Sequence, residues 1–317
     1  ITFLFVLVNF NLIAQITCMN YEDALKEIVL GDETYIVTTA ESRKHIENIP
    51  LLLGERFIDT GITEQTLIAI SCGYALRGRT VIAHGFASFL TMRAFEFIRT
   101  DVGLGNLPVK LVGMSPGFLS TANGPAHQAL EDVSLMRGIP NMNILCPADL
   151  QDLVICLRKV IETQDPYYIR FNDEPAVYTH DYDYEIGKAE VVSSGKDVTM
   201  LVSGYLFNQA LKAKEFLEGK GMSVGLINIR TPKPLDEQTV LEAADKTRLI
   251  VTLEDHFLTG GLYSIISELF VKNKVNADVL SVALDNRWFK PGLINDVLEH
   301  EGFTGEKISE RIFDYLK

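Results

Sequence analysis

An α/β protein with two successive doubly wound, mostly parallel-sheet domains is predicted by three observations. Short β-branched runs alternate with helical stretches from Tyr35 onward. A polar, acidic stretch without periodicity interrupts that alternation at 179–187. The 317 residues are enough for two separate cores. Regular alternation implies right-handed βαβ crossovers and a sheet covered on both faces.

Taken in order, residues 1–18 are uncharged and apolar but interrupted by Asn9, Asn11 and Gln15. They suit neither a spanning helix nor a signal peptide, so they read as an extension outside the fold, which begins at Met19. The first domain is expected over 19–178, with strands at Tyr35–Thr39, 56–59, 80–83, 109–113, 143–146 and 167–171. A nearly all-apolar helix follows Glu64, and another stretch of helix lies between Phe89 and Arg99. The Gly-x-Gly of Asp101-Val102-Gly103-Leu104-Gly105 follows a helix and precedes a strand, the reverse of a dinucleotide fingerprint, so it reads as a connecting loop. After the 179–187 linker, the second domain (188–317) shows strands at 197–203, 223–229, 249–254 and 279–284, with helices near 206–219, 236–246 and 261–273.

The net charge is -13, with 42 acids against 29 bases. Such a surface argues against nucleic-acid and anionic-membrane partners. The 4 cysteines (Cys18, Cys72, Cys146, Cys156) have no CxxC spacing. They read as buried thiols of a cytoplasmic protein and not as a zinc site.

One carboxylate stands out. In Gly61-Ile62-Thr63-Glu64-Gln65, Glu64 follows a strand and opens the apolar helix, where an ionised group needs a partner. Further on come Asn123-Gly124-Pro125-Ala126-His127-Gln128, then Arg137-Gly138-Ile139-Pro140-Asn141 and Pro147-Ala148-Asp149. Later still are Arg230-Thr231-Pro232-Lys233-Pro234 and Glu254-Asp255-His256 with Gly260-Gly261. In this order the segments resemble the pyrimidine-binding and carboxy-terminal domains of the transketolase family, over roughly residues 19–317.

The resemblance implies a transferase that uses thiamine diphosphate to move a two-carbon ketol unit between sugar phosphates. It assigns Glu64 to the hydrogen bond that activates the aminopyrimidine, and Phe86 or Phe89 to the apolar slot for that ring. It assigns His127 to the sugar's oxygens as a catalytic and substrate-binding group, and Arg170 and Asn123 to substrate binding. For Arg170 an internal salt bridge competes with a grip on the sugar phosphate. Arg93 and Arg99 read as structural or interface ion-pair partners. Asn123 stands where many transketolases carry aspartate, and Gly113-Met114-Ser115-Pro116-Gly117 where they carry a histidine; both departures touch sugar recognition, so the resemblance does not carry the usual pentose and hexose phosphates over to this chain.

Nothing matches the family's Gly-Asp-Gly...Asn motif, whose side chains hold Mg²⁺ and the diphosphate; Gly31-Asp32 is followed by Glu33. The expectation is therefore a carboxy-terminal subunit that shares the cofactor with a separate amino-terminal subunit, which binds the Mg²⁺. Alone it would form a homodimer or aggregate, and with its partner an α₂β₂ heterotetramer. A 1-deoxyxylulose-5-phosphate synthase-like subunit, the β subunit of a 2-oxoacid dehydrogenase and a catalytically silent scaffold are the alternatives.

Overall fold

A computed structural model describes residues 19–317; the expected extension 1–18, with Cys18, lies outside the described residues. Helix α1 (Tyr21–Gly31) opens on Asn20, whose side chain accepts from the Asp23 N–H at 2.9 Å. Such a cap satisfies one otherwise orphaned donor and stabilises the helix by about 1 kcal/mol. The first domain continues with β1 (Tyr35–Thr39), α2 (Ile49–Leu53), β2 (Phe57–Asp59), α3 (Glu64–Ala75) and β3 (Thr80–Phe86). Next come α4 (Phe95–Phe97), set between two π-helical turns at Phe89–Arg93 and Ile98–Gly103, and then β4 (Val109–Met114). The domain closes with α5 (Asp132–Arg137), β5 (Asn143–Leu145), α6 (Leu150–Ile161) and β6 (Tyr167–Arg170).

These six strands form one sheet in the order β2-β1-β3-β4-β6-β5, parallel throughout. Its central strands are buried, β4 throughout and β3 up to its last residue, Phe86, because helices cover both faces. The chain builds outward from β1 to β2, then returns to the other side of β1 for β3. This makes the carboxyl ends of β1 and β3 a topological switch point, where open α/β sheets place ligands.

The second domain holds β7 (Glu190–Ser193), β8 (Val198–Ser203), α7 (Phe207–Gly219), β9 (Val224–Asn228), α8 (Glu237–Lys246), β10 (Leu249–Phe257), α9 (Leu262–Asn273), β11 (Asp278–Leu284), α10 (Ile294–Glu301) and α11 (Gly305–Leu316). Its sheet runs β11-β10-β8-β9-β7, with β7 the antiparallel member at one edge. Helix α11 packs on α7 because Gly305 has no side chain: a Cβ there would meet Lys212 Cβ at 2.4 Å.

The two sheets are joined by specific chemistry. Lys233 pairs with Ile144 in an antiparallel bridge, and Cys146 N–H donates to the Arg230 carbonyl at 2.7 Å, so the 230–234 segment covers the edge strand β5. The 179–187 stretch, read as a linker from its polarity, is packed against both halves. His180 and Tyr184 within it are buried. Cys72, Cys146 and Cys156 are all buried free thiols, and burial pushes the first two up to about 12. Among the described residues no helix is long and apolar enough to cross a membrane.

Candidate functional site

Three loops leave the carboxyl edge of the first sheet at the switch point, and each delivers part of one cluster. The loop after β2 turns at Gly61 (φ 65°) and places Glu64 at the first position of α3. There the helix dipole favours a negative charge. Strand β3 ends in Phe86, and the π-helical turn immediately beyond it carries Phe89 and Arg93. The loop after β4 runs through two 3₁₀ turns, Gly117–Asn123 and Pro125–His127.

Glu64 is 2% exposed, and Arg93 meets it with Nη1 at 2.8 Å from Oε2. The same guanidinium lies over the Phe89 ring, 4.4 Å from its centroid. His127 stands edge-on to both aromatic rings, with centroid separations of 4.9 Å to Phe89 and 5.7 Å to Phe86. Phe86 and Phe89 are themselves 6.1 Å apart. Four of the expected residues, Glu64, Phe86, Phe89 and His127, thus come together in one cluster, in which Glu64 is buried and the three rings are half-buried. Within it His127 Nδ1 is buried without a hydrogen-bond partner, as is the Oγ of Ser88, the residue before Phe89. A buried orphan of this kind costs on the order of 1–3 kcal/mol and marks where a ligand's polar atom would be welcome.

The His127 turn is held from the second domain. Gln128 Nε2 donates to the Phe289 carbonyl at 3.0 Å, and Gly124 (φ 87°) supplies the positive φ the turn requires. Asn123, expected at the substrate, sits exposed in the first of the two turns, where the structure gives it no side-chain partner in the cluster.

Arg170, expected at a sugar phosphate, is placed elsewhere. Its Nε donates to Asp132 Oδ2 at 2.8 Å, its Nη1 to Asp255 Oδ1 at 2.7 Å, and its Nη2 to the Asp255 carbonyl at 3.3 Å. It is 4% exposed and joins the two domains. Tyr168 donates to the same Asp132 oxygen at 2.6 Å. The neighbouring motif residues belong to this clamp. His256 donates from Nδ1 to the Phe257 carbonyl and accepts the Ser134 N–H at Nε2, which fixes a neutral ring; burial holds it down to about 4. Glu254 accepts the first N–H groups of α9, from Leu262 at 2.5 Å and Tyr263 at 2.9 Å, while burial pushes its carboxyl up to about 7.

A second buried cluster lies at the connecting segment, where Asp152, His180 and Glu190 have ligand atoms close enough for a metal ion. Their hydrogen bonds argue for a salt-bridge network instead. Both ring nitrogens of His180 face carboxylates, Nε2 at 2.9 Å from Asp149 and Nδ1 at 2.7 Å from Glu190. Both must donate, so the ring is a cation with no lone pair for a metal. Arg230 neutralises Asp152 at 2.6 Å and Glu190 at 3.2 Å.

The ion pair expected of Arg93 is made with Glu64, whereas the π-helical turn that carries Arg93 goes unread in the sequence. The available signal is its position four residues beyond Phe89, one turn along the same face.

Comparison with known proteins follows the same division. Residues 20–175 match the transketolase pyrimidine-binding domain and residues 187–308 the transketolase carboxy-terminal domain. A putative transketolase C-terminal section from Methanocaldococcus jannaschii is 33% identical, covering 83% of this chain and 84% of its own length. A 6-deoxy-6-sulfo-D-fructose transketolase subunit from a Clostridium species is 32% identical, covering 91% and 90%. A solved split-gene transketolase, described as an inactive β4 tetramer, superposes with a TM-score of 0.83 at 30% identity, covering 93% of this chain and 96% of that one.

Proposed function

Because this chain belongs to the transketolase family, we propose that it is the carboxy-terminal subunit of a split transketolase, transferring a two-carbon ketol unit between sugar phosphates together with an amino-terminal subunit. The observation that carries the reading is a buried carboxylate beside two half-exposed aromatic rings and a histidine with an unpartnered nitrogen, all at the switch point.

Those residues fit the pyrimidine end of thiamine diphosphate: Glu64 for a ring nitrogen, and Phe89, flanked by Phe86, for its apolar face. When bound, the cofactor supplies a nucleophilic carbon that accepts the ketol fragment. The chain's part is to prepare it. With the cofactor bound, Glu64 Oε2 would hold the proton at the ring nitrogen, and its burial would keep water from competing for that proton. The phenylalanines orient the ring without engaging its polar edge. His127 would offer its unpartnered Nδ1 to a sugar hydroxyl or carbonyl oxygen, and Asn123, on the exposed turn before it, is assigned to the sugar as well.

The diphosphate and Mg²⁺ ligands are assigned to the partner. Gly31-Asp32-Glu33 is no substitute, because Asp32 ends α1 and its Oδ1 accepts the Thr34 N–H at 2.8 Å. The inactivity stated for the similar β4 tetramer supports a half-site that does not act alone. A complex of two copies of each subunit, working in the cytoplasm, follows from this reading.

The test is ketol transfer by the reconstituted pair. Glu64→Gln keeps the shape and removes the charge, and it should lower kcat by about 10²–10⁴-fold with the complex intact. Full activity in that variant would remove Glu64 from its role. Release of carbon dioxide from pyruvate in place of ketol transfer would point to decarboxylating chemistry.

A further inference from the structure

The pyrimidine reading of the site requires one carboxylate oxygen and one aromatic face, and a single side chain of this protein already holds both. Arg93 Nη1 is 2.8 Å from Glu64 Oε2, and the guanidinium carbon is 4.4 Å from the Phe89 centroid. A guanidinium is flat, delocalised and rich in N–H donors, so it presents Glu64 and Phe89 with much of what an aminopyrimidine presents. The two partners differ in freedom. The Glu64 side chain is 3% exposed and fixed at the start of α3, whereas the Arg93 side chain is 42% exposed and sits on a π-helical turn. Arg93 can withdraw to solvent on its flexible stem; Glu64 cannot follow it. Turns of this kind are rare and concentrate at functional sites.

We propose that Arg93 is an internal competitor of the cofactor's pyrimidine ring. It pairs the buried Glu64 carboxylate and covers the Phe89 face, and thiamine diphosphate must displace it to bind. The proposal rests on the pyrimidine-site reading above and adds a gate to it. Its effect is to lower apparent affinity: a slot closed about nine-tenths of the time weakens binding roughly tenfold. It also keeps the carboxylate from standing buried and unpaired, a state that costs far more than the exposed guanidinium gains elsewhere.

The experiment is calorimetric titration of the two-subunit complex with thiamine diphosphate at fixed Mg²⁺, for the native protein, Arg93→Ala and Arg93→Lys. Removing the competitor should tighten Kd about tenfold in Arg93→Ala, equivalent to ~1.4 kcal/mol. Arg93→Lys keeps the ion pair without the flat contact, and its Kd should fall between the two. The melting temperature provides a second readout: Arg93→Ala should melt lower than the native complex before cofactor is added and show a larger upward shift on saturation. A looser or unchanged Kd in Arg93→Ala, beside normal binding by the native complex, overturns the competition and leaves the site assignment standing. If the native complex binds no thiamine diphosphate, both fall. Should Arg93→Ala fail to assemble, a Kd in Arg93→Lys equal to or looser than native overturns the proposal, and a tighter one supports it.

Discussion

Replacing Arg170 with methionine separates the structural from the substrate-binding reading of that residue. The guanidinium contacts two carboxylates from different domains, Asp132 at 2.8 Å and Asp255 at 2.7 Å, with side-chain exposures of 5%, 0% and 1% for the three groups. None of the three is screened by water. Arg170→Met fills similar volume but leaves two buried anions facing each other without a cation. Breaking a buried pair in this way costs about 3–5 kcal/mol, most of it the desolvation of the stranded charges. Guanidinium unfolding followed by both far-ultraviolet circular dichroism and tyrosine fluorescence gives the number and reveals whether the domains part before they unfold. The triple variant Arg170→Met, Asp132→Asn, Asp255→Asn should recover most of the loss, since no buried charge is left unpaired. A single variant within ~0.5 kcal/mol of the native protein, whose only defect is a raised KM for phosphorylated sugars, would refute the clamp and return Arg170 to the substrate.

The other expectations are briefer. Burial opposes charge on His180, but the hydrogen bonds to Asp149 and Glu190 prevail and hold the ring up to about 10, from an ordinary 6.5. Its stabilisation is therefore complete below pH 6.5 and lost as pH rises toward 10. The difference in guanidinium midpoint between the native protein and His180→Gln should shrink over that range, and a constant difference would show the ring to be neutral. Glu190 is held down to about 2 despite its burial, by His180 and Arg230, so its own contribution persists until the pH falls below the usual carboxylate range toward 2. Gly117→Ala would set a Cβ 1.8 Å from Asp255 Oδ2 at a φ of 54°, and should destabilise the protein by about 1–3 kcal/mol or more in the same unfolding assay.

What the sequence reveals and conceals follows from the range of the interactions involved. Strands β1, β3, β4, β6, β8, β9, β10 and β11 are visible because β-branched runs in a covered sheet leave a local signature. Edge strand β7 escapes the reading: Glu190-Val191-Val192-Ser193 is short, and it owes its place to antiparallel pairing with β9. Helices α10 and α11 also go unread, although Thr304 caps the second through the Lys307 N–H. Glu64 draws notice in the sequence because its carboxylate opens an apolar helix and the motifs downstream of it supply a context; taken alone it reads as an ordinary first-turn acid. The role of Arg170 is not legible, because its partner Asp255 lies 85 residues away in the other domain, and an arginine that closes two domains has the same local sequence as one that faces a phosphate. In the 179–187 segment, polarity marks a connection between the two domains, but the local sequence does not show that His180 is polar because it is held between two buried acids.

The shared site is tested most directly by titrating thiamine diphosphate, with Mg²⁺ present, into this chain alone, into the amino-terminal subunit alone and into their mixture. On the proposed reading, in which Glu64, Phe86, Phe89 and His127 hold the pyrimidine and the partner holds the diphosphate, this chain should bind weakly or not at all by itself, and the mixture should bind tightly at one cofactor per pair of subunits. Tight binding to this chain alone would contradict the account.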